Sequence, residues 1–259
     1  MKPATSHRDR VTTFAAPAAV GALLVALWHV SVAYSGTRVF PSPAAVGAAV
    51  AELLRKGLLI PYTFDSLGRV MAGYGAAIAA GVPLGLIMGW HVGAASALNP
   101  VIQLLRPISP LAWMPVAVVL LGVGNAPAIL LIGLGAFFPI VVAAMNAVAS
   151  VREVHLRVAR NFGLPPVKVL LHVMMPASLP QLLVGLRLAL GIAWLVVVAA
   201  EMLAIDSGLG YLVVDSRNAG KRYDLVVAAM VSIGLIGFTL DIAMRFLARA
   251  TAGRWSKAV

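Results

Sequence analysis

The chain alternates long apolar stretches with short clusters of charge. A membrane-spanning helix needs about 20 mostly apolar residues. Six stretches meet that need and predict spans at about 14–34, 67–90, 101–121, 127–149, 179–205 and 225–247. Lys2, Arg8 and Arg10 give the first of them a preamble like a signal-peptide n-region. Its apolar run exceeds the roughly 7–15 residues of an h-region and no small-x-small cleavage site follows, so it reads as a retained span. Pro41 and Pro43 then open a mildly amphipathic stretch reaching Lys56, which predicts a short helix outside the bilayer. Gly122-Val123-Gly124-Asn125 predicts a tight turn between the third and fourth spans. Residues 150–178 carry Arg152, Glu153, Arg157, Arg160 and Lys168, too polar to span, and a polar loop runs from Asp206 to Asp224. The expected fold class is therefore all-α: a polytopic membrane protein of about six helices. Residues 14–249 form the transmembrane domain, flanked by tails at 1–13 and 250–259.

Composition sharpens this reading. Hydrophobic residues make up 61% of the chain, charged residues only 11%, and mean hydropathy is +0.96. Soluble domains carry about a quarter charged residues, so a water-soluble globule of this size is excluded. Cysteine is absent, which excludes disulfides, thiolate metal sites and a cysteine nucleophile. Twenty Lys+Arg against nine Asp+Glu give a net charge of +11. In a membrane protein that excess marks cytoplasmic loops and anionic headgroups, not nucleic acid. Placing the N-terminus inside gathers Lys2, Arg8, Arg10, Arg152, Arg157, Arg160, Lys168, Arg245, Arg249, Arg254 and Lys257 on the cytoplasmic side. The outside segments then hold Arg38, Arg55, Lys56, Arg217, Lys221 and Arg222, nearly balanced by acids. Both termini are expected in the cytoplasm.

Within the spans, Gly73, Ala77, Gly81, Gly85 and Gly89 recur every four positions and form one smooth stripe. The stripe serves helix packing inside the chain or a seam between subunits. Pro107, Pro110 and Pro115 forbid an unbroken helix from Arg106 onward. Such breaks are ordinary kinks, or they line a transport pathway, where freed carbonyls meet water or solute. Arg106, Pro110, Trp113 and Pro115 are the pathway candidates there. In the fifth span Arg187 and Glu201 lie roughly 21 Å apart along a helix, too far to pair. Both are further pathway candidates, with Trp194 midway between them. Arg187 could instead snorkel inward, and Glu201 could sit at headgroup depth.

Between spans four and five, Val154, Val158 and Phe162 fall at i, i+4 and i+8 on a short helix that otherwise shows Arg157, Arg160 and Asn161. Gly163 supplies its C-terminal cap and Pro165-Pro166 stop it. Such a helix suits a membrane surface or a groove on a soluble partner. No Gly-x-x-x-x-Gly-Lys-Ser/Thr occurs, so this chain does not cradle nucleotide phosphates as a P-loop protein does. The five histidines are scattered, with no His-Glu-x-x-His pair for a zinc hydrolase. A gradient-driven secondary transporter or channel, the other class considered, would carry more ionisable groups in its spans or a doubled half.

Arg157-Val158-Ala159, Gly163 and Val173-Met174-Met175-Pro176 resemble the cytoplasmic loop of ABC-importer permeases: Glu-Ala-Ala, three residues, Gly, nine residues, Ile-x-Leu-Pro. Ala159, Gly163 and Pro176 match at the family spacing, and Arg157 stands where the family has Glu. Arg106 to Pro115, Gly185 to Gly191, Ala200 to Leu203 and Ser207 to Tyr211 are similar to the nitrate, sulfonate, taurine and bicarbonate permeases. The resemblance covers about residues 15–250. It implies a multi-pass subunit of the bacterial cytoplasmic membrane, not itself an enzyme. It further implies two such copies, two ATP-binding subunits that hold ATP and Mg, and an extracytoplasmic solute-binding protein. This chain would bind no cofactor or metal. The loop helix, through Val154, Arg157, Val158, Ala159, Arg160, Phe162 and Gly163 with Pro176 behind it, would couple the spans to the ATPase.

Overall fold

The computed structural model describes residues 7–35, 40–151, 157–159, 161–218 and 220–255. Every regular element among the described residues is helical, with no strand: α1 (His7–Ser35), α2 (Pro43–Arg55), α3 (Leu59–Trp90), α4 (Val92–Leu105), a 3₁₀ turn (Pro110–Trp113), α5 (Met114–Leu121), α6 (Asn125–Ala149), α7 (Pro166–Val169), a π turn (Leu170–Met174), α8 (Met175–Ala204), α9 (Leu209–Asn218) and α10 (Tyr223–Trp255). Four continuous stretches are long and apolar enough to cross a membrane: α3, α6, Val167–Ala204 and α10. The bent pair of α4 with Pro110–Leu121 makes a fifth if taken as one broken span.

Several boundaries depart from the sequence reading. The third span does not run straight through 101–121. Its first limb begins at Val92, and the chain bends by 81° before the second limb. Pro107 and Pro110 each remove a donor within five residues of Leu105, so the helical ladder cannot be carried across. The helix that carries the fifth span begins well before 179. Helix starts at Pro166 and passes through a π turn at Leu170–Met174. Pro176 cannot donate to the carbonyl one turn back, and the ladder widens just ahead of it. The polar loop after Glu201 is in fact α9, whose Leu209, Leu212 and Ser216 are buried at helical spacing. α1 runs from His7 to Ser35, and its stretch Ala18–Tyr34 is exposed along most of its length.

The centre of the molecule is α3, α6 and α8. Leu131, Ile132, Ala136, Ile140, Ala189, Ala193 and Val197 are all fully buried among them. The Gly73, Ala77, Gly81, Gly85, Gly89 stripe sets the distance between α3 and α6. A β-carbon added at Gly73 would stand 2.6 Å from the Ile129 carbonyl, at Gly85 2.4 Å from the Val141 carbonyl, and at Gly89 2.8 Å from the Met145 carbonyl. These are backbone collisions, which no rotamer change relieves. The stripe therefore packs within the chain, and Pro83 is accommodated inside α3 without ending it. Gly85→Leu should destabilise the purified protein by about 1–3 kcal/mol of overpacking and so lower its thermal midpoint. Gly75→Leu, where a β-carbon meets nothing within 4 Å, should leave it unchanged.

Outside this core, α2 lies against α9 and α10. Ser42 caps α2 by accepting from the Ala45 amide at 3.3 Å, and Val46, Ala49 and Leu53 face Leu212, Leu225 and Ala228. Arg222 bonds Glu52 and Asp224, each at 2.7 Å, and Lys56 adds a second partner for Glu52. Arg222, with Lys56 beside it, holds the Glu52 carboxyl below its ordinary range. The Glu52 clasp is thus complete at neutral pH and loosens only as pH falls through that lowered value.

Candidate functional site: a loop helix and three arginine sites

Three described residues of the loop helix, Arg157, Val158 and Ala159, are helical, as is Asn161; Val154 and Arg160 lie outside the described residues. Ala159 is 3% exposed and seats on Val148 at the end of α6, Val169 in α7 and Met174 in the π turn, with Leu86 and Trp90 of α3 beside them. A small residue is needed there, because the helix backbone rests almost directly on the ends of the spans. Val158 and Phe162 face the other way, and Phe162 is 80% exposed. The C-terminus closes as the sequence requires. Gly163 has φ +66, the Leu164 amide donates to the Ala159 carbonyl at 3.2 Å, and the Phe162 amide donates to Val158 at 3.1 Å. The six-to-one bond and the left-handed glycine make a Schellman cap. Pro176 sits in the first turn of α8, directly behind the π turn, and does not itself belong to the outward face.

Glu201 lies in the last turn of α8 and is buried within the bundle, only 1% exposed. Arg69 of α3, itself 5% exposed, donates to it at 2.6 Å. The same guanidinium donates to Asn125 Oδ1 at 2.7 Å, to the Ser207 carbonyl at 3.0 Å and to the Ser207 hydroxyl. Glu201 also accepts from the Ser66 hydroxyl at 2.8 Å and from the Gly210 amide at 2.9 Å, while the Leu209 amide donates to Ser66. The carboxylate thus receives the Gly210 amide in the first turn of α9, where negative charge is favoured, while Leu209 is answered through Ser66. Gly208, at φ +101, permits this approach, since a β-carbon there would lie 2.3 Å from the Glu201 carboxyl. One ion pair joins α3, α6, α8 and α9. Sequence reading missed Arg69, Ser66, Asn125 and Ser207. The available signal was an arginine inside the second predicted span, which must find a partner in the bundle.

Arg187 is paired across the bundle. Its Nε and Nη2 engage both oxygens of Asp241 on α10, the latter at 3.0 Å, and Arg245 donates to the same carboxylate at 2.5 Å. Trp194 is 6% exposed and packs against Gly237 of α10, its indole donating to the Ile233 carbonyl at 3.2 Å. Its buried ring also lines a small cavity with Arg187 and Asp241. In the broken span, Pro110 rests near Gly135 of α6, while Trp113 and Pro115 are exposed. Arg106 caps α4 and is exposed, and among the described residues its side chain has no hydrogen-bond or ion-pair partner. Among those residues, no three His, Asp or Glu side chains are grouped to hold a metal.

Residues 81–253 match the family described as binding-protein-dependent transport system inner membrane component. The chain is 39% identical over 232 residues to an ABC transporter permease protein of Methanocaldococcus jannaschii, covering 87% of this chain and 86% of that one. It is 39% identical over 186 residues to the taurine transport system permease protein TauC of Escherichia coli K12, covering 71% and 66%. It is 32% identical over 241 residues to the nitrate import permease protein NrtB of Synechocystis sp. PCC 6803, covering 89% and 86%. An inward-facing crystal form of the MetNI methionine ABC transporter contains a chain of the same fold, with TM-score 0.68 at 17% identity, covering 74% of this chain and 95% of that one. With its helical spans, its capped loop helix and these relatives, the chain belongs to the binding-protein-dependent ABC-importer permeases, multi-pass transport subunits whose ATP hydrolysis resides in a separate subunit.

Proposed function

We propose that the chain forms the pathway through which a small anion of the nitrate, sulfonate, taurine or bicarbonate kind enters the cell. The names of the taurine and nitrate relatives support that solute class. Two copies pair in the cytoplasmic membrane, each with both termini inside and residues 14–249 as its transmembrane domain. Each loop helix seats in a cleft of one of two ATPase subunits, which hold ATP and Mg. A solute-binding protein docks on the outer face. The distribution of basic residues supports the orientation.

The observation that carries the coupling role is the two-sided loop helix. Ala159 is locked onto the ends of three spans while Val158 and Phe162 face outward, away from that seat. Closure of the ATPase pair would move the two helices together and rock the spans as rigid bodies, exchanging access between the two sides. Co-expression with the cognate ATPase tests this. The detergent-solubilised complex should retain the ATPase, and Val158→Asp with Phe162→Asp should release it. Retention of the ATPase by that double variant would contradict the assignment.

A further inference from the structure

A cavity of about 310 Å³ opens between α6, α8 and the end of α4. Its walls are largely apolar, with Pro139 and Leu188 among them, but three polar side chains line it: Arg106, Asn146 and Gln181. Among the described residues none of the three has a side-chain hydrogen bond or ion pair within the protein. That sets Arg106 apart from the other arginines of the helical core. Arg69 is neutralised by Glu201, and Arg187 and Arg245 share Asp241. An unpaired cation beside a cavity in a membrane protein is costly unless water or a ligand answers it, and such groups mark solute routes.

The fold maintains this space. The chain bends by 81° just past Arg106, so α4 ends beside the trough and the 3₁₀ turn beyond it packs on α6 and α8. Pro110, one turn on, rests near Gly135 and anchors the bend. Beneath, Gly185 crosses α6 so closely that a β-carbon would stand 2.1 Å from that of Ala143. The two helices therefore form a continuous floor. Asn146 and Gln181 lie near the α6 and α8 ends that carry the loop-helix seat, and Leu188 lies farther along the span.

We infer that this cavity is the station that holds the anionic solute in transit, with Arg106 selecting its charge and Asn146 and Gln181 donating amide hydrogens to its oxygens. The inference rests on the anion-import reading above. A guanidinium offers two parallel donors to a pair of oxygens, the arrangement that nitrate, bicarbonate and sulfonate share. The volume lies at the lower end of small-molecule sites, which suits solutes of a few heavy atoms. One charge and two amides in an otherwise apolar trough bind weakly enough to release, as passage demands. Arg187, already bound by Asp241, is not the selecting charge.

The test uses the permease–ATPase complex in phosphatidylcholine nanodiscs, titrated with ¹⁵N-nitrate, ¹³C-bicarbonate and taurine while NMR line broadening is followed. At least one anion should bind wild type. Arg106→Gln should weaken that binding about tenfold or more, Arg106→Lys should retain part of it, and Gln181→Ala should weaken it several-fold. Size-exclusion profiles should stay the same for all. Equal binding to wild type, Arg106→Gln and Gln181→Ala would overturn the cavity assignment while leaving anion import standing. Binding of none of the three anions by wild type would overturn both. Added phosphatidylglycerol that abolishes anion binding in wild type, and is retained less by Arg106→Gln, would make the site a lipid-headgroup site and overturn the transit role. Should Arg106→Gln fail to assemble, Gln181→Ala and Asn146→Ala decide alone.

Discussion

Glu201→Ala is expected to destabilise the permease by about 3–5 kcal/mol, the cost of leaving a buried charge without its partner. Arg69 is 5% exposed, and its other acceptors, Asn125 and Ser207, are neutral. The same change also removes the acceptor for the Gly210 amide and for Ser66. The loss should appear as a large fall in the thermal midpoint of detergent-purified protein and as poor membrane accumulation. Arg69→Met with Glu201→Leu should recover much of it, since an apolar pair leaves no stranded charge. The recovery should be incomplete, because Gly210 and Asn125 remain without their partners. A single Glu201→Ala variant that melts with wild type would show that the ion pair does not hold α3, α8 and α9 together.

Gly163→Leu is expected to abolish most transport while sparing the core. At φ +66 a side chain costs about 1–2 kcal/mol in the left-handed region. A helix this short has little else to hold its last turn. Loss of the Leu164-to-Ala159 bond would swing Phe162 away from the position its cap gives it. Uptake, and the stimulation of ATP hydrolysis by loaded binding protein, should both fall by about tenfold or more. The thermal midpoint should move little, because Gly163 is exposed and a β-carbon there meets nothing within 4 Å. Gly163→Asn, which tolerates positive φ, should retain part of the function. Wild-type uptake by Gly163→Leu would mean that the cap geometry is dispensable.

The elements legible in the sequence were those set by local rules. Ser42-Pro43 began α2, Gly122 and Gly124 turned the chain, and Gly163 with Pro165-Pro166 ended the loop helix. The four-residue stripe in α3 announced a close crossing, although only the structure shows that α6 is its partner. Pairings across the bundle were not legible. Arg69 with Glu201 is separated by 132 positions, and Arg187 with Asp241 by 54, so periodicity carries no trace of either. The short α9 was hidden because Asp206, Asp215 and Arg217 gave its segment a polar look, while its burial comes from three neighbouring helices. Arg106, Arg187 and Glu201 looked equivalent as charges in or beside spans. Tertiary partners separate them, leaving Arg106 as the one of the three facing a cavity without a counter-ion.

Site-specific crosslinking at the loop helix tests the coupling claim most directly. The chain contains no cysteine, so a single Phe162→Cys substitution gives an unambiguous attachment point. With the ATPase and binding protein present and ATP being turned over, a short thiol-reactive photocrosslinker at that position should capture the ATPase subunit. Its yield should change between the nucleotide-free and ATP-bound states. Adducts formed only with phospholipid, or ATPase adducts whose yield ignores nucleotide, would contradict the account.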